Sequence, residues 1–198
     1  ATTEIYTLSL HDALPIWQGL VRQPVPANDH IQPFIDAQVP GLWVYYCCAQ
    51  SSLVPNRFFA MESARNRIMG VLMYLYGIKG FLHWGYNFYN SKFSLHPVDP
   101  YRVTHADYAF PSGDPFLVYP GPDGAPLSSV RAEVQDDALL DLRALRLLEQ
   151  LAGRAFVEEL IYADAEMRPM TFRDYPRGAG YLLALRERVA AEIESRLA

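Results

Sequence analysis

Cysteine is scarce in this chain: its 198 residues hold two, Cys47 and Cys48, and these are neighbours. A disulfide between adjacent residues closes a strained ring, so no structural bridge is expected. The plain reading of the pair is two small buried strand residues. CxxC and HxxxH spacings are both missing, which removes the common zinc patterns; no metal and no cofactor is expected. Basic runs are missing too. With a formal charge of −5 and a pI near 5.5, the chain has no electrostatic footprint for nucleic acid, and that class of partner is not expected. No apolar run is long enough to span a bilayer, and the start lacks the basic-then-apolar order of a secretory signal. Internal repeats and low-complexity tracts are absent as well. What is present is apolar: 51% of the residues are hydrophobic, enough to bury a substantial core in one domain or at most two.

The stretch around which the rest is organised is 57–90, RFFAMESARNRIMGVLMYLYGIKGFLHWGYNFYN. Glu62 and Ser63 suit a helix start, where unpaired amides and the positive end of the dipole favour carboxylates and hydroxyls. Ile68, Leu72 and Leu75, with Met69, Met73 and Tyr76, then recur at helical spacing and predict an amphipathic helix. Gly77 can take the left-handed conformation that ends it. Residues 78–86 are too short and too aromatic for another helix and read as a strand. Alternation sends Leu82, Trp84 and Tyr86 to one side and Phe81, His83 and Gly85 to the other. Both sides are mostly apolar, so this strand is expected to be interior and parallel.

Residues 1–16, ATTEIYTLSLHDALPI, differ in character from the rest of the chain and begin without methionine. The part TEIYTLSLHDALPI resembles the peptide read when short-read sequencing adapter is translated in frame. Residues 1–16 are therefore expected to be a non-native leader, with 17–198 forming the domain, and His11 and Asp12 then carry no function. The alternative is an ordinary strand, since Ile5, Thr7 and Ser9 alternate with Tyr6, Leu8 and Leu10. Four prolines limit 17–40 to short pieces, with a brief helix over 30–38 capped by Asn28 or Asp29. GLWVYYCCAQ, 41–50, reads as a second buried strand. The turn-rich segment 91–114 is long for a structureless loop, which points to a binding role. Its Phe93, Tyr101, Tyr108 and Phe110 are expected to pack down on something. PFLVYP, 115–120, reads as a third strand before a tight PGPDG turn. A helix over 128–153 should turn Val130, Val134, Ala138, Leu142, Leu145 and Leu148 inward and leave Arg131, Glu133, Asp141 and Arg146 to water. Helix continues over 155–163, and a final amphipathic helix covers 181–197. Strands alternating with helices predict an α/β fold with a parallel sheet or a portion of a barrel, since a complete eight-unit barrel takes about 250 residues.

The segments WVYYCCAQ, VPNRFFAMESARNRIMGVLMYLYGIKGFLHWGYNFYN, FPSGDPFLVYPGPDG and LLDLRALRLLE together resemble the C-terminal portion of the glycoside hydrolase family 123 catalytic domain, also catalogued as domain of unknown function 4091. The likeness covers about residues 17–151. It implies the C-terminal part of a (β/α)8 TIM-type barrel with parallel strands and C-terminal helices, and a glycan or glycoside substrate. It further implies release of terminal N-acetylgalactosamine with retention, by a substrate-assisted route. There the sugar's acetamido oxygen attacks the anomeric carbon, a Glu protonates the leaving oxygen and a neighbouring Asp steadies the acetamido group. The family carries these two residues as an Asp-Glu pair, and this sequence contains no Asp-Glu dipeptide. Asp136-Asp137 and Glu158-Glu159 lie in helical patterns and read as solvated charge, so no residue is assigned as catalytic.

What carries over is a pocket wall. Trp84 is placed to stack on a pyranose, Tyr86 and Asn87 to hydrogen-bond its hydroxyl or acetamido groups, and Tyr45 and Gln50 to assist from the preceding strand end. For Trp84 a core aromatic is an equal reading. His83 reads as an interior histidine, Arg57, Arg65 and Arg67 as fasteners of the loop and helix start, and Asp114 as a turn residue. The rival for the whole chain is a non-catalytic carbohydrate-binding or scaffold domain whose aromatics are simply core. An incomplete barrel would expose strand edges and apolar surface, so self-association is expected.

Overall fold

The structure, a computed structural model, describes residues 23–198. The expected leader over 1–16 and its alternative strand lie outside the described residues.

Together with residues 41–50, the organising stretch folds as a parallel β-α-β unit. Strand β1 (Trp43–Tyr45) pairs with β2 (Gly80–Leu82) in the register Trp43 to Gly80, Val44 to Phe81 and Tyr45 to Leu82. The connection carries two short helices, α2 (Ala64–Arg67) and α3 (Met69–Leu75), joined at Ile68, whose backbone is itself helical. Gly77 ends α3 at φ 61°, with its N–H on Tyr74 O at 3.1 Å and the Ile78 N–H on Met73 O at 2.9 Å. That is the closure a left-handed glycine permits. On the other side of β1, residues 24–28 run parallel to it: Tyr45 N donates to Pro26 O at 3.0 Å and Asn28 N to Tyr45 O at 2.9 Å. Pro24 and Pro26 fit there because an outer segment needs fewer donors. The brief helix α1 (Gln32–Asp36) follows, with neither Asn28 nor Asp29 capping it by side chain.

Two expectations for the strands are corrected. Residues 78–86 yield only three strand residues, and Leu82 is 45% exposed, so β2 is parallel but not interior. Residues 115–120 contribute β3 (Val118–Pro120), which pairs antiparallel with β4 (Pro126–Ser128) and not with the parallel strands. The cause is the tight turn between them, closed by Gly121 N on Ala125 O at 2.8 Å with Gly124 at φ 82°. Parallel pairing needs a crossover of a dozen residues or more, and this turn is too short for one.

The helices supply most of the core. The long helix α4 (Val130–Ala152) is capped by the Ser129 side chain on Ala132 N, and α5 (Arg154–Tyr162) follows Gly153. The last helix is α6 (Ala179–Leu197). Ala138, Leu142, Leu145 and Leu148 of α4 are buried, as their spacing predicted, against Ile68 and Leu72 from the crossover and Leu182, Leu185 and Val189 from α6. At Gly70 a Cβ would lie 2.0 Å from Ala138 O, so α3 and α4 touch backbone to backbone. Val130, expected inside, is 72% exposed, because it opens the helix ahead of the packed turns. Asp141, expected in water, is buried with Arg67 Nε at 2.7 Å and Arg186 beside it. Arg131 is half-buried and donates to the carbonyls of Gly113 and Phe116. Among the described residues no helix is long and apolar enough to cross a membrane.

In the loop over 91–113 a short 3-10 turn, Lys92–Ser94, is the regular piece. Its aromatics divide: Phe110 packs on Trp84 with ring centroids 4.9 Å apart, whereas Phe93, Tyr101 and Tyr108 are exposed. Tyr101 still packs on Tyr119 at 5.1 Å between centroids and donates its hydroxyl to Pro120 O at 2.8 Å, so the expectation that the aromatics pack down is corrected for Phe93 and Tyr108.

Candidate functional site

The C-terminal ends of β1 and β2 lie side by side, and the chain beyond each carries the polar residues of interest. After β2 the backbone runs against 114–118: Phe88 N donates to Pro115 O at 3.1 Å and Leu117 N to Tyr86 O at 2.8 Å, with a bridge between Asn87 and Phe116. Glycine is needed at 85 for this approach, since a Cβ there would lie 2.3 Å from Asp114 O. Trp84 and Asp114 are thereby brought together across the closest point.

The resulting cluster is buried and charged. The Trp84 indole N–H donates to Asp114 Oδ2 at 3.0 Å, and Asp114 is fully buried. The His83 Nδ1 accepts the Gly85 N–H at 2.9 Å and lies 2.8 Å from an Arg57 terminal nitrogen. With Nδ1 accepting, the ring proton belongs on Nε2, which faces Asp114 Oδ1 at 3.2 Å without the alignment of a hydrogen bond. Arg57, 2% exposed, also donates to the carbonyls of Gly85 and Asp114 and so joins the two segments. Burial lowers the His83 imidazole below its ordinary value, with Asp114 pulling the other way, and the same desolvation brings Arg57 down to about 10. At neutral pH the imidazole is neutral and the guanidinium charged.

The structure divides the five expected wall residues between two places. Trp84 is half-buried, wedged against Phe88 (5.2 Å between centroids) and Phe110, with part of its surface open. Tyr86 and Asn87 follow it and are exposed. Tyr45 and Gln50 belong to a separate group at the end of β1. Gln50 is buried: its Oε1 accepts the Cys47 N–H at 2.9 Å and its Nε2 donates to Asp29 at 3.3 Å. Gln50 therefore closes its own loop, and Tyr45 is half-buried near Asp29. Asn56 couples the two groups, donating to the carbonyls of Cys47 and Gln50 at 2.8 and 2.7 Å and accepting the Arg57 N–H at 2.7 Å.

Arg65 and Arg67 act as fasteners, the first on the carbonyls of Ser52 and Val54, the second on Asp141. His83 is interior, as its alternation predicted, with its side chain 4% exposed. Cys47 and Cys48 are free thiols, half-buried just past β1, and a hydrogen bond from Cys48 draws the Cys47 thiol below its ordinary range. Sequence reasoning missed the weight of Asp114 and Arg57. The signal available was a cation followed by two phenylalanines at Arg57, and a carboxylate set between Gly113 and Pro115 at Asp114.

In this arrangement aromatic and polar side chains lie beside a buried carboxylate, and the paired acidic residues of the helices point elsewhere. Asp114 has no open surface, Asp137 pairs with Arg67, and Glu158 and Glu159 pair with Arg154 and Arg168 on the outside of the helices. Two hollows, of about 490 and 370 Å3, open near Gly77 and Leu42 at the opposite end of the strands and belong to the helix packing. Among the described residues no group of three or more His, Cys, Asp or Glu is placed to hold a metal.

No curated protein matches the chain. A family model does: "Glycoside hydrolase 123, catalytic domain" matches residues 5–148, which include β1, β2, the crossover, Asp114 and most of α4. That match covers well over half of the chain and takes in every residue of the cluster, and on it the chain belongs to the glycoside hydrolase 123 catalytic-domain family.

Proposed function

We propose that this chain is the C-terminal part of a glycoside hydrolase barrel and forms one flank of its sugar pocket. On this reading the parent enzyme releases terminal N-acetylgalactosamine with retention, the substrate's own acetamido oxygen attacking the anomeric carbon. A conventional retaining enzyme uses a second carboxylate as the nucleophile instead. Trp84 supplies the stacking face, Tyr86 and Asn87 the directed hydrogen bonds, and Tyr45 and Gln50 shape the neighbouring strand end.

The observation that carries this reading is Trp84 at the C-terminal end of a parallel strand, half open, with Tyr86 and Asn87 exposed beyond it. In α/β barrels the functional groups gather at that end of the strands. Family membership supplies the substrate class. No residue is assigned as the acid or its partner, because the sequence has no Asp-Glu dipeptide and, of its nearest imitations, Asp137, Glu158 and Glu159 are held in ion pairs on helices. The acid and its partner are proposed to lie on a part of the parent outside these residues.

The test is direct. The 198-residue chain should bind N-acetylgalactosamine, followed by tryptophan fluorescence, and fail to hydrolyse a chromogenic N-acetyl-β-galactosaminide, with Trp84→Ala abolishing the binding. Turnover by the chain alone would overturn the placement of the acid. Coding sequence upstream of Trp17 that lacks an Asp-Glu pair closing a strand would instead favour a non-catalytic carbohydrate-binding domain.

A further inference from the structure

Asp114 is unusual for a turn residue. It has no exposed surface, and among the described residues no lysine or arginine lies within ion-pair distance of its carboxylate. Its oxygens are divided, Oδ2 taking the Trp84 indole N–H at 3.0 Å and Oδ1 facing His83 Nε2 at 3.2 Å. Burying a carboxylate in this way carries a large desolvation penalty, and a backbone carbonyl would satisfy an indole N–H with a smaller one. What a carboxylate adds is strength and direction, since a charge-assisted hydrogen bond is about twice as strong as a neutral one.

We infer that Asp114 is a positioning residue that fixes the angle of the Trp84 ring, so that the face offered to a pyranose is set before the sugar arrives. This deepens the sugar-flank reading and rests on it. Three further restraints converge on the same geometry. Arg57 donates to the carbonyls of both Gly85 and Asp114, holding the two segments in register. Gly85 allows their backbones to approach, and Phe88 and Phe110 close on the indole, the first edge-on and the second tilted. An aromatic ring held in its binding orientation loses little rotamer freedom when a ligand docks, so the clamp contributes to affinity without touching the sugar.

The experiment uses the 15N-labelled 198-residue chain. In the wild type the Trp84 indole N–H resonance should lie downfield of a free indole, and Asp114→Asn should move it upfield while the other tryptophan indoles stay in place. The same substitution should weaken N-acetylgalactosamine binding about tenfold, the scale of one charge-assisted hydrogen bond. In a Trp84→Phe background Asp114→Asn should cause no further loss, because a residue that acts through Trp84 has nothing left to position. A wild-type resonance at the free-indole position overturns the clamp even if Asp114→Asn does not fold. Unchanged sugar affinity in a folded Asp114→Asn overturns the positioning role. A shifted resonance in a wild type that binds no sugar overturns the flank reading, and the positioning role with it, while leaving the clamp as a structural contact.

Discussion

Asp141 and Asp114 are both buried aspartates, and the chain answers them in different ways. Asp141, on α4, faces Arg67 of α2 at 2.7 and 3.2 Å and Arg186 of α6, so its carboxylate stitches three helices together. Asp114, at the strand ends, meets an indole and an imidazole instead. Buried atoms lacking a hydrogen-bond partner occur around the second, at Asp114 Oδ1, His83 Nε2, Arg57 Nε and an Arg131 terminal nitrogen, and also in the helices, at the Tyr74 hydroxyl and two Arg188 nitrogens. None belongs to Arg67, Asp141 or Arg186. The helical body uses its charge for cohesion, and the strand ends keep theirs for orientation.

The comparison breaks most visibly at the helical end. Asp141→Ala leaves two guanidinium groups facing each other in a partly buried site and should destabilise the fold by about 3–5 kcal/mol, seen as a drop in the urea midpoint. Below the transition the Trp84 indole resonance should not move. A shift there would mean that the two regions are one coupled unit. Gly85→Ala is the reciprocal change, forcing a methyl against the Asp114 carbonyl. It should destabilise by about 1–3 kcal/mol, the usual range for overpacking, and it should displace the Trp84 resonance. Stability loss without that displacement would reduce the cluster to packing.

The smallest effect is in pH. Burial depresses the His83 imidazole from 6.5 in the folded chain, so the unfolded chain takes up a proton that the folded one refuses. The neutral imidazole's contribution is complete above about pH 6.5 and fades as pH falls towards the folded value, with a slope no steeper than about 1.4 kcal/mol per pH unit. His83→Gln should flatten this part of the stability profile. Parallel profiles for variant and wild type would assign the acid sensitivity to another group.

Much of the molecule was legible in advance. The Gly77 stop, the parallel relation of 41–50 to 78–86, and the inward Ala138, Leu142, Leu145 and Leu148 all followed from local spacing. The failures have a common physical source. Asp141 looked solvated because a helical wheel places it beside a polar edge, yet α6 brings Arg186 over that edge. Residues 115–120 looked like a third parallel strand because the propensity of PFLVYP does not name its partner, and the short turn chose β4. Phe93 and Tyr108 looked core-like from their chemistry alone, but in the structure they remain exposed. At the site, the spacing after Gly77 puts Trp84 near a strand end, where the structure has it, while nothing near Asp114 in sequence hints at an indole.

Composition and periodicity alone determined an α/β chain with its helices in place and a parallel strand-helix-strand over 41–86, since apolar spacing and glycine stops act over a turn or two of backbone. Only the tertiary structure decided that Trp84 and Asp114, 30 residues apart, share a hydrogen bond behind Gly85. That meeting depends on how two segments approach through space, and backbone approach is set by the whole packed arrangement rather than by any stretch of it.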